Sequence, residues 1–202
     1  MKKLNLLLII IASLCGVVCS IKLIINGDIY EILISLSIIP VMLVPFIVRK
    51  LFKLNLTPTL ECIYLVFTFF AHFLGSILNF YDTVNHYDKL IHFSSGIAVS
   101  FLALYLLINF KKYNSKKVLF NVLFIISFVL MIAAFWEFFE YSVDIVFKKD
   151  AQKVLETGVD DTMGDMIAAF VGAILFNIIY AYEEKTNKNI LIKKYIKDVK
   201  NK

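Results

Sequence analysis

The sequence predicts an all-α membrane protein, a bundle of six transmembrane helices with the N-terminus and the C-terminus in the cytoplasm. Three observations carry that prediction. Hydrophobic residues fill 60% of the 202 positions, mean hydropathy is +0.80, and only 18% of residues are charged. A soluble domain of this length has no core large enough to hide so much apolar surface, so the excess must face lipid. Six apolar segments approach the roughly 20 residues that cross the hydrocarbon core as a helix. The basic residues alternate in density between the connections on either side of them.

In chain order the spans fall at about 4–25, 29–48, 59–80, 90–110, 118–140 and 162–182. The first follows Met1-Lys2-Lys3 and resembles a signal peptide at its start. Its apolar run is too long for a signal h-region, and no small-x-small cleavage site follows, so an uncleaved span is expected. Short connections and the lack of a Gly/Ser-rich linker predict a single domain over 1–182, followed by a basic cytoplasmic tail over 183–202. Cys15, Cys19 and Cys62 have no disulfide or zinc-finger spacing and read as small apolar helix residues.

Orientation comes from lysine and arginine. With the N-terminus inside, the cytoplasmic segments carry Lys2, Lys3, Arg49, Lys50, Lys53, Lys111, Lys112, Lys116 and Lys117, and seven lysines from Lys185 onward, making 16 of the 21 basic residues. Lys22, Lys89, Lys148, Lys149 and Lys153 fall outside. The net charge of +5 thus reads as topology and contact with membrane lipids, with no nucleic-acid partner. In the tail, Ile192, Tyr195, Ile196 and Val199 share one helical face among lysines, a pattern suited to anionic inner-leaflet lipid. A plain solvated tail fits the same residues.

Charged groups near bilayer depth are costly, so their positions carry information. At the start of span four, Asp88 and His92 stand four residues apart and therefore on one helix face. Ser95 continues that face, and Gly96 permits close approach of a neighbour. At the end of span five, Glu137, Glu140, Tyr141 and Asp144 follow helical spacing and form an acidic stripe. At the start of span six, Asp161 and Asp165 again stand four apart, above Ala168 and Gly172. Asp160, Asp161 or Thr162 also suits a helix N-cap. Span three adds His72, Ser76 and Asn79, with His72 readily explained by one interhelical hydrogen bond.

Carboxylates this close repel unless a cation lies between them. The expected metal ligands are Asp88, His92, Glu137, Asp161 and Asp165, with Glu140 and Asp144 as catalytic carboxylates. Mixed oxygen and imidazole donors suit a divalent ion such as zinc, manganese or iron. The bland alternative is that these residues end their spans and meet water.

The same motifs resemble those of the YjdF-type family of bacterial inner-membrane proteins, from span four onward. Asp88-Lys89-Leu90-Ile91-His92-Phe93-Ser94-Ser95-Gly96 is similar to that family's Asp-Arg-x-x-His-Phe-x-x-Gly. Glu137 to Tyr141 resembles its Glu-x-x-Glu-aromatic signature, and Asp161 to Met166 its Asp-Thr-x-x-Asp-Met run. Lys89 stands where the family has arginine, and Gly158-Val159-Asp160 replaces an Asp-x-Trp step. The resemblance implies the bacterial cytoplasmic membrane and a site at these motifs, and it implies no reaction. Three functions remain in view: a metal-dependent hydrolase or transferase acting on lipid or envelope substrates at the outer interface, a non-catalytic scaffold or subunit, and a cation transporter. No Ser-His-Asp order, phosphate loop or HExxH motif names a substrate.

Overall fold

A computed structural model describes residues 2–26 and 29–201, and every regular element among them is a helix. The side chains of Lys2 and of residues 22–26, together with Lys202, lie outside the described residues, so part of the charge asymmetry does too. Among the described residues, five helices are long and apolar enough to cross a membrane, and a sixth span results if one bent pair is counted as a unit. The chain divides into two compact units, Met1–Asp88 and Lys89–Lys202.

In the first unit α1 (Lys2–Asn26) runs against α2 (Ile29–Met42), which bends by 49° into α3 (Val44–Phe52). The cause is local. Pro45 has no N–H to give to the carbonyl of Val41, and its ring crowds that carbonyl. A bare carbonyl is costly among apolar helices, and here the Tyr64 hydroxyl donates to Val41 O at 2.8 Å. Tyr64 belongs to α4 (Pro58–Thr68), whose start is set by Thr57: its Oγ1 accepts from Leu60 N at 3.1 Å, with Pro58 at the first helical position. Ala12, Ile38, Met42, Leu65 and Phe73 form the core. Gly16 permits the close contact of α1 with α2, since a Cβ there would strike Ile38 and the Ser35 carbonyl. Glu61, almost buried, pairs with Arg49, and Asn5 Nδ2 donates to Pro58 O nearby.

Span three is not one regular helix. After Thr68 it widens into a π-helical stretch, Phe69–Ile77, before the short α5 (Phe80–Thr83). His72 Nε2 lies 2.8 Å from Ser37 Oγ and 3.1 Å from the Ile34 carbonyl of α2. The interhelical hydrogen bond expected of His72 is therefore present. Ser76 is exposed, and Asn79 leaves the helix with a φ of 57°, so the three residues do not continue as one stripe.

The second unit is built from α6 (Tyr87–Asn109), α7 (Val118–Phe147), the single turn α8 (Val154–Thr157), α9 (Asp160–Thr186) and α10 (Ile192–Lys200). The unit boundary falls in the first turn of α6. Val129, Ala133, Ala169 and Ala173 join α7 to α9. A Cβ on Gly96 would collide with the Ala169 carbonyl, and one on Gly172 with the Phe93 carbonyl, so α6 and α9 touch backbone to backbone. Outward-facing Phe135, Phe138, Phe139, Ile145 and Val146 of α7 remain exposed, as lipid-facing residues should.

The tail folds onto this unit. Ile192, Tyr195, Ile196 and Val199 are buried, Phe101 packs edge-on against both Phe176 and Tyr195, and the Tyr195 hydroxyl donates to Phe101 O at 3.1 Å. Their shared apolar face is taken up by protein. Fully buried Glu183 caps α10: its carboxylate accepts from the backbone N–H groups of Ile190, Leu191, Ile192 and Lys193 at 2.9–3.3 Å. An anion at a helix N-terminus is stabilised both by those donors and by the helix dipole.

Two outcomes follow. Tyr64→Phe should cost roughly 1–2 kcal/mol in detergent unfolding, and Pro45→Ala, which supplies a donor for Val41, should recover most of that loss. Glu183→Ala should cost about 2–3 kcal/mol and expose residues after Thr186 to limited proteolysis while α6 to α9 stay protected.

Candidate metal and polar site

Helix α6 presents Asp88 and His92 one turn apart, as their spacing requires. Opposite His92, α9 presents Asp165, which is 2% exposed and held deep by the Gly96–Ala169 contact one turn below. One ligand atom from each of Asp88, His92 and Asp165 lies within 4.8 Å of the others. His92 Nε2 stands 3.6 Å from Asp165 Oδ1. These three are a set able to hold a metal ion.

The fourth member is a lysine. Lys89 Nζ reaches Asp161 Oδ1 at 2.6 Å, Asp165 Oδ1 at 2.8 Å and the Asp161 carbonyl at 3.2 Å. Its side chain passes directly over Gly164, where an added Cβ would come within 3.1 Å of Lys89 Cε. Gly164 thus opens the path by which an ammonium on α6 bridges two carboxylates on α9. A cation does lie between the acids, as like-charge repulsion demands, and the chain itself supplies it.

The remaining expected residues distribute around this centre. Glu137 is buried but turned to a connection: Gln152 Nε2 lies 3.3 Å from Glu137 Oε2, 3.3 Å from its carbonyl and 3.4 Å from Thr162 Oγ1. Asp144 accepts from Ala151 N at 2.5 Å and Gln152 N at 3.2 Å, which folds the connection after α7 back over its last turns. Glu140 accepts from Trp136 Nε1 at 2.8 Å and lies within electrostatic reach of Glu137, His92 and Asp165. Asp161 goes to Lys89 and does not cap α9, whose N-cap is Val159 with no side-chain hydrogen bond. Of the five expected ligands, the structure gathers Asp88, His92 and Asp165. Glu137 and Asp161 stand beside that group with partners of their own.

Lys89 and Gln152 are the participants that sequence reasoning missed. Lys89 carried a signal, since it occupies the arginine position of the family motif beside Asp88. Gln152 carried none, because it lies in an irregular connection whose return path only the Asp144 contacts define. At the far end of α9, Glu183 is fully buried, made tolerable by four backbone donors.

The site geometry makes Gly164 a sensitive position. Gly164→Ala should lower stability by less than about 1 kcal/mol, because Lys89 need shift only a few tenths of an ångström, whereas Gly164→Val should displace the ammonium and cost roughly 2 kcal/mol or more in detergent unfolding.

A family model described as "Predicted membrane protein (DUF2238)" matches residues 6–185. No curated protein and no solved structure matches the chain.

Proposed function

The chain belongs to the DUF2238 family of predicted membrane proteins, and from that premise we propose that its α6–α9 cluster holds a divalent cation through Asp88, His92 and Asp165. One observation carries this reading: two carboxylates and an imidazole, two of the three residues buried, converge within 4.8 Å. Oxygen and nitrogen donors together favour zinc, manganese or ferrous iron over a soft thiophilic ion. Three protein ligands leave coordination positions open, the arrangement of catalytic centres. A metal there supplies a Lewis acid and acidifies bound water. The reaction class this supports is hydrolysis or group transfer on a lipid headgroup or envelope precursor. Glu140 is the candidate proton acceptor, with Asp144 positioning the connection that covers α7. The lysine distribution supports both termini in the cytoplasm, with the cluster at the outer face of the cytoplasmic membrane.

A specific observation favours a second reading, a non-catalytic scaffold. Lys89 already forms ion pairs with both Asp161 and Asp165, so the cluster locks α6 to α9 without any ion. A cation transporter has less support, because Glu183 at the far end of α9 is engaged in capping α10.

Elemental analysis of the purified protein separates these readings. The metal reading predicts about one divalent ion per chain, lost in His92→Gln and Asp165→Asn variants that keep their helical content. A wild type free of metal, with both variants merely less stable, supports the scaffold and overturns the metal reading.

A further inference from the structure

The connection from α6 to α7 carries Lys111, Lys112, Lys116 and Lys117 within seven residues and no acid between Asn109 and Phe120. It encloses an open cleft of about 460 Å³ lined by Lys111, Lys112, Tyr113, Asn114, Lys117 and Phe120. The cleft lies at the opposite end of α6 from Asp88, where α6 ends at Asn109 and α7 begins at Val118, so it sits at the rim of two membrane spans.

Three further features define what fits there. The first turn of α7 has no side-chain cap, so its positive dipole end adds to the lysines. The nearby acid is already engaged: Glu184 accepts from the Tyr113 hydroxyl at 2.9 Å and lies 3.7 Å from Lys193 Nζ. Burial above all, with Tyr180 and Glu184 beside it, pushes the Tyr113 phenol far up, so it brings no negative charge to the cleft. Lys200 Nζ lies 4.6 Å above the Tyr113 ring and adds another cation to the same corner. The apolar rim is exposed as well, with Phe110 at 61%, Leu119 at 71% and Phe120 at 51%. A soluble anion has no use for those three side chains, whereas acyl chains do.

We propose that this cleft is a binding site for the phosphate-bearing headgroup of an anionic phospholipid, with Lys111, Lys112 and Lys117 on the phosphate and Phe110, Leu119 and Phe120 against the acyl chains. Basic pockets at span ends recognise such headgroups, and each lysine near the anionic surface contributes about a fivefold preference. The site lies at the opposite end of α6 from the metal cluster.

The test uses the full chain in neutral detergent with phosphatidylglycerol or phosphatidylcholine added at equal concentration, and counts retained lipid by native mass spectrometry. Wild type should retain phosphatidylglycerol at least roughly tenfold over phosphatidylcholine. The triple variant Lys111→Gln, Lys112→Gln, Lys117→Gln should fall to near parity with unchanged melting, because these side chains are exposed. Lys194→Gln with Lys197→Gln, on the exposed face of α10, should keep the preference. Equal retention of both lipids by wild type overturns the proposal. So does an equal loss in the α10 variant, which would mean diffuse attraction. Displacement of the lipid by inorganic phosphate alone at the same concentration would assign the cleft to a free anion and overturns the lipid as well.

Discussion

A carboxylate held at 2% exposure among apolar helices must be offset by positive charge, and Asp165 imposes that requirement on the second unit. Lys89 answers it from α6 with an ion pair, and His92 Nε2 stands 3.6 Å from the same carboxylate oxygen. The geometry leaves little slack. Both α6 residues reach Asp165 only because Gly96 and Gly172 let the two helices meet backbone to backbone, and because Gly164 leaves a path for the lysine. Small residues, in this chain, are what bring charges into register. The metal reading and the scaffold reading both begin from this pairing and differ in whether Asp165 is shared with an ion.

The two ends of α9 handle buried acids in different ways. Asp165 and Asp161, near its start, take side-chain cations from α6. Glu183, near its end, takes four backbone N–H groups from the start of α10. Backbone donors are rigid and fill the acceptor capacity of a carboxylate, which suits a fixed cap. A lysine side chain can leave, and a carboxylate so paired keeps the capacity to exchange its partner for a metal. That contrast is why the proposed function rests on the Asp165 end.

The helical class and the places of the spans were legible because apolar length alone decides them: α6 and α9 begin within three residues of their expected starts. The breaks were less legible. Pro45 was visible as a local cause of the bend between α2 and α3, yet the Tyr64 hydroxyl that satisfies the freed Val41 carbonyl arrives from another helix. The π-helical stretch after Thr68 has no composition signature. In the site, Asp88 and His92 were singled out by their four-residue spacing on one helix, and Asp165 by the same spacing from Asp161. Glu137 and Asp161 engage Gln152 and Lys89, contacts that helical periodicity does not reveal, since it says which face a residue occupies and nothing of which neighbour satisfies it. The tail's apolar face was recognised, but its contact with Phe101 and the Glu183 cap joins residues too far apart in sequence for any periodicity to connect.

The most direct test is a double-mutant cycle on Lys89→Met and Asp165→Asn, read by equilibrium unfolding in detergent. If the ammonium and the carboxylate bridge α6 and α9, the two substitutions together should cost less than their sum, with a coupling of about 1–2 kcal/mol. Effects that add to within roughly 0.3 kcal/mol would mean the two groups do not meet, and the picture of a charge pair seated on a glycine-lined crossing would be wrong.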